Sequence, residues 1–111
     1  STFTVVLGEI SQILPDIKKT RWRKKSDFYS LFLVFAKHKD QLPLTKTNRL
    51  AAQKKLIKFG SDVDAAAASA KAATNKSVRL YTNAVEKAAS DLANREKRNE
   101  ELEVQLKGIL T

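Results

Sequence analysis

The chain has 111 residues, 42% of them apolar, a net charge of +9, and neither cysteine nor methionine. That length holds one domain with a modest core, and the missing cysteines exclude disulfides and thiolate metal sites and make the cytoplasm the default setting. The longest apolar run, Leu31 to Ala36, falls far short of the roughly 20 residues that span a bilayer, and no basic signal-peptide region precedes it, so no membrane partner is expected.

Phe3, Val6, Leu7, Ile10, Ile13 and Leu14 recur at steps of three and four, one face of a helix that must end at Pro15. The β-branched start, Thr2, Thr4, Val5 and Val6, leaves open a strand in the first turn. Residues 16–25 read as a basic connector, after which Ser26 and Asp27 are candidate N-caps. Phe28, Leu31, Phe32 and Phe35 then predict a helix, and Leu33 and Val34 make it apolar nearly all round, the signature of a central core helix. It is expected to stop near Asp40, ahead of Pro43.

A third helix follows, capped by Thr45 or Thr47 and carried by Leu50, Leu56, Ile57, Val63 and the small residues of the Ala65 to Ala73 stretch. Gly60 inside it costs about 1 kcal/mol against alanine, which predicts a break or close packing there. Thr74, Asn75 and Ser77 are turn chemistry. Val78, Tyr81, Val85, Ala88, Leu92, Arg95, Asn99, Leu102, Leu106 and Ile109 then follow a heptad seam, which predicts one long helix over residues 76–110. Arg95 and Asn99 are polar at seam positions. They mark either the place where the helix leaves the core or a register-setting contact with a partner, so Arg95, Asn99, Leu102 and Leu106 are the candidate interface of a homodimer or docking module. Glu96 and Asp91 beside Arg95 and Arg98 predict surface ion pairs.

The charge is segregated. Residues 17–58 carry thirteen Lys or Arg against Asp27 and Asp40, a surplus of +11, and the flanking segments carry no positive surplus. Within that half stands Lys18-Lys19-Thr20-Arg21-Trp22-Arg23-Lys24-Lys25. Cations of this kind neutralise phosphates and release counterions without reading sequence. Trp22 can stack on a base, a contact worth about 1–3 kcal/mol, or anchor the connector to the core. Lys46, Arg49, Lys54, Lys55 and Lys58 form a second set, which is a solvated helix face unless the third helix packs beside the connector and merges the two. The candidate contacts to a DNA or RNA backbone are therefore Lys18, Lys19, Arg21, Trp22, Arg23, Lys24, Lys25, Lys54, Lys55 and Lys58. Nothing here predicts an enzyme or a cofactor. His38 stands alone, Asp62 and Asp64 point apart on a helix, and no phosphate loop or metal-ligand spacing occurs.

The run Arg21-Trp22-Arg23-Lys24-Lys25-Ser26-Asp27-Phe28-Tyr29-Ser30-Leu31-Phe32, and Ala88-Ala89-Ser90-Asp91-Leu92-Ala93-Asn94-Arg95 followed by Arg98, resemble a helical region of the ParB-like nuclease-domain proteins related to the GmrSD-type phage-defence enzymes. The resemblance covers most of residues 15–105. It implies the helical part downstream of a nuclease domain, in a DNA-processing or defence setting. That family's Asp-Gly-Gln-Gln-Arg motif has no match here, so no catalytic residue carries over, and any nuclease activity is expected in an upstream domain of the same protein. A chain starting at Ser1 without methionine is expected to be a fragment of a longer protein unless an initiator was removed. The expectation is thus an all-α bundle of about four helices with a long C-terminal helix, acting as a non-catalytic accessory module.

Overall fold

The structure is a computed structural model that describes residues 1–86 and 91–110. Helix α1 spans Thr2–Ile13, α2 Lys25–Lys37, α3 Lys46–Ala67, α4 Lys76–Glu86 and α5 Leu92–Gln105, and no strand occurs among the described residues. None of these helices is long and apolar enough to cross a membrane.

The first turn of α1 is helical despite its β-branched residues. The Ser1 side chain caps it by accepting from the Thr4 amide at 3.3 Å, and Val6, Ile10 and Ile13 are buried along one stripe. The stripe contains a carboxylate, Glu9, which is also buried. Arg49 of α3 grips it with two bonds, Nε to Oε2 at 2.8 Å and Nη2 to Oε1 at 2.9 Å, so α1 and α3 are joined by a bidentate ion pair as well as by packing.

Two short 3-10 turns, Ile17–Lys19 and Arg21–Arg23, make up the connector. It leads into α2, whose N-cap is Lys24 with no side-chain cap bond. Ser26 and Asp27 therefore do not cap. Asp27 lies in the first turn of the helix, buried, and accepts from the Tyr81 hydroxyl at 2.6 Å. Leu31, Val34 and Phe35 are the buried face of α2. Phe28 and Phe32 are only partly buried against the core, and Phe32 meets the exposed ring of Phe3 with centroids 5.5 Å apart. The helix stops at Lys37, where the His38 Nε2 lies 2.7 Å from a carboxylate oxygen of Glu103 and ties this end to α5.

Thr45 caps α3 by accepting from the Asn48 amide. Ala52, Leu56, Phe59, Gly60 and Val63 face the core, whereas Leu50 and Ile57, expected inside, are about half exposed. The reason is helical phase. At about 100° per residue they fall on the flank between the buried stripe and the solvent face, and Leu56 and Phe59 occupy the inward positions instead.

The expected single helix over residues 76–110 is two antiparallel helices, with residues 87–90, and so Ala88 of the seam, outside the described residues. Gln105 Nε2 donates to Ser77 Oγ at 3.0 Å, whereas a continuous helix would hold these residues roughly 42 Å apart. Asp91 caps the second helix by accepting from the Ala93 amide. Folding back buries Leu102 and Leu106 completely against α2 and α4, each worth about 1.5–3 kcal/mol relative to an exposed position. The radius of gyration, 13.3 Å, matches the about 13 Å of a globular chain this long.

Candidate nucleic-acid interface

Ten residues were expected to meet a polyanion, and the fold divides them. Trp22 is fully buried and Arg21 nearly so, so neither offers itself to a base or a phosphate. The Trp22 indole Nε1 donates to the Leu56 carbonyl of α3 at 2.9 Å, and its ring stands edge-on to Tyr81 at 6.1 Å. Of the two readings open for Trp22, the anchor is the one realised. Gly60 makes room for it, because a Cβ there would lie 3.0 Å from Trp22 Nε1. Arg21 is held from both sides, Nη1 donating to Asp64 Oδ1 at 2.6 Å and Nε standing 3.5 Å from Asp27 Oδ1.

The other connector cations point outward. Lys18, Lys19, Arg23, Lys24 and Lys25 are exposed and have no ion-pair partner among the described residues. Lys18, Lys19, Arg23 and Lys24 surround a concavity of about 340 Å³, together with Thr20, Arg21 and Asp64. The one carboxylate lining it, Asp64, is already engaged by Arg21. Its walls are almost wholly polar, which suits phosphate and gives a base nothing to lie on.

The second basic set does not merge with the first. The connector lies on the flank of α3 that carries Leu56, Gly60 and Asp64. Lys58, two residues from Gly60, points about 160° away from it. Lys54, Lys55 and Lys58 instead line a separate groove of about 480 Å³ between α3 and α4, and its lining shares no residue with the connector concavity. Lys58 is paired with Asp62 at 2.8 Å. Lys46 is exposed, and Arg49 is spent on Glu9.

The proposed interface on the heptad seam is also redistributed. Leu102 and Leu106 are core residues of this chain, so the seam there faces inward and is occupied by the chain's own helices. Arg95 lies over the Tyr29 ring, 5.9 Å from its centroid, and with Asn99 is half-buried. The expected surface ion pairs with Asp91 and Glu96 are not formed among the described residues. Arg98 is fully buried, its Nε donating to Ser30 Oγ at 3.0 Å while neither terminal nitrogen has a hydrogen-bond partner among the described residues. Arg98 lies off the expected seam, and its position one turn before Leu102 on the same helix face was the available signal for this burial, but charge alone argued for the surface.

Among the described residues no group of three or more His, Cys, Asp or Glu side chains is placed to hold a metal ion. No family model, curated protein or solved structure matches the chain.

Proposed function

We propose that this chain is a non-catalytic helical module that grips a nucleic-acid backbone through Lys18, Lys19, Arg23 and Lys24, with Lys25 at the edge of the same surface. One observation carries the reading: four cations surround a polar concavity whose single carboxylate is already neutralised from within by Arg21. Folding gains nothing from their charge. Lys24 and Lys25 begin α2, where the helix dipole disfavours positive charge by a few tenths of a kcal/mol. Lys24 and Lys25 are placed against the local electrostatics, and all five cations lack an ion-pair partner among the described residues, a combination that fits an external polyanion. Contact of this kind positions the module on a backbone and does not read sequence. The resemblance to the helical regions of ParB-like nuclease-domain proteins fits the same role, that of an intracellular accessory part that holds DNA for a catalytic domain elsewhere in a defence or DNA-processing protein.

The test is binding of labelled duplex DNA and RNA across a salt series. Each lost phosphate contact flattens the slope of log K against log salt by about 0.9 on B-form DNA, so Lys18→Ala, Lys19→Ala, Arg23→Ala and Lys24→Ala combined should flatten it by roughly 3 to 4. The helical circular dichroism should stay at the wild-type value, because these side chains are exposed. An unaltered slope in the quadruple variant would remove the connector from the interface.

A further inference from the structure

We infer that the groove between α3 and the start of α4 binds a nucleotide unit, with its phosphate on the lysine rim and its base on the apolar floor. Ala51, Lys54, Lys55, Lys58, Phe59 and Asp62 stand at steps of three and four along one face of α3, and Asn75, Val78 and Gln105 close the groove from the other side. At about 480 Å³ it falls in the range of small-molecule sites, roughly 300–1,000 Å³.

The chemistry of the walls selects the ligand. Ala51 and the methylene stems of Lys54, Lys55 and Lys58 supply most of the apolar floor, which Phe59 and Val78, almost fully buried, reach only at their edges. Lys54, Lys55 and Lys58 supply three ammonium groups against one carboxylate, Asp62, which Lys58 already holds. Lys54 and Lys55 have no ion-pair partner among the described residues. An inorganic anion would use the rim and leave the floor wet, and an uncharged apolar ligand would leave the ammonium groups idle. A phosphate joined to a flat ring uses both. Two amides add a polar pair at the same wall. Asn75 Oδ1 accepts from the Val78 amide and Gln105 Nε2 donates to Ser77. The Asn75 NH2 donor and the Gln105 carbonyl acceptor are left without a partner among the described residues, and these are the two kinds of group that a base edge pairs with.

A free nucleotide and a nucleotide within a single strand present the same chemistry, and the experiment separates them. The groove has no residue in common with the connector concavity, so this inference stands apart from the backbone-binding reading. The full chain, labelled with nitrogen-15, is titrated with adenosine 5′-monophosphate, with adenosine and with a short single-stranded oligonucleotide. Amide shifts at Ala51, Lys55, Phe59 and Val78 are followed, with Thr20, Arg23 and Lys24 reporting separately on the connector.

Saturable shifts in the first group with the mononucleotide support a free-nucleotide site, and shifts there with the oligonucleotide alone support a strand site. Adenosine should bind roughly tenfold more weakly than the monophosphate, as expected for the loss of a charge-assisted contact. Lys54→Gln with Lys55→Gln should lower affinity by a similar factor, and Ala51→Phe, which fills the floor, should abolish the groove shifts while connector shifts persist. No movement of the groove amides with either phosphorylated probe overturns the inference, as does binding that survives Ala51→Phe unchanged. Loss of connector shifts alone would count against the backbone reading and leave the groove untouched.

Discussion

Trp22 sits in the most cationic run of the chain, yet it is among its most deeply buried side chains. Its neighbours in sequence gave no hint of this. The complementary signal lay 38 positions away at Gly60, where a helix interior accepts the propensity cost of glycine because the indole occupies the space a Cβ would need. The conflict between these two effects can be measured. Gly60→Ala gains about 1 kcal/mol of helix propensity but presses a methyl onto a ring that the Leu56 carbonyl holds in place, a strain of about 1–3 kcal/mol. Urea denaturation should show a net loss of about 1 kcal/mol in the wild-type background. In a Trp22→Phe background, where Nε1 is gone, the same substitution should be neutral or stabilising. Equal effects in both backgrounds would mean that the contact does not limit residue choice at position 60.

At the scale of elements, periodicity identified which faces are apolar more reliably than what those faces meet. Val78, Tyr81, Leu102 and Leu106 were expected on one seam, and all four are buried. They share a core because the segment doubles back, which a heptad count cannot register. The cap at Asp91 was the readable sign of a second helix start, outweighed by the length of the uninterrupted pattern. The basic sites divided in a similar way. Lys18, Lys19, Arg23 and Lys24 were legible as a cluster because they are adjacent in sequence. The groove was not, since Ala51, Val78 and Gln105 come together only through packing. The doubled-back arrangement changes what Leu102→Asp should do. A carboxylate at a fully buried site has no partner there and costs several kcal/mol. The variant should lose helical circular dichroism and cooperative melting, whatever its concentration. A folded variant whose sedimentation alone changes would instead restore the seam as an intermolecular surface.

At the scale of the molecule, the pieces are locked by a buried polar network as well as by apolar packing. Asp27 of α2 accepts from Tyr81 of α4 and lies beside Arg21 of the connector, which reaches on to Asp64 of α3. Burial, and then the negative charge of Asp27, push the Tyr81 phenol well above its ordinary value of 10.0. The unfolded chain ionises this tyrosine near pH 10 while the folded chain keeps it protonated. Its contribution to stability is therefore complete below about pH 10 and is lost as the pH rises towards the folded value. Denaturant midpoints should fall across that alkaline window, and Tyr81→Phe should remove this part of the decline while lowering stability at neutral pH by about 1–3 kcal/mol, because Asp27 loses its donor. The same decline in the phenylalanine variant would assign it to other groups.

The indole inside this network is the chain's one tryptophan. Its emission is thus an internal gauge of whether connector, α3 and α4 are docked, set apart from events on the charged exterior. A polyanion arriving at Lys18, Lys19, Arg23 and Lys24 meets no fluorophore, so its approach is silent in that channel. Separation of the connector from α3 hydrates the ring and shifts the emission to the red. One optical signal therefore reports the integrity of the module without reporting its occupancy.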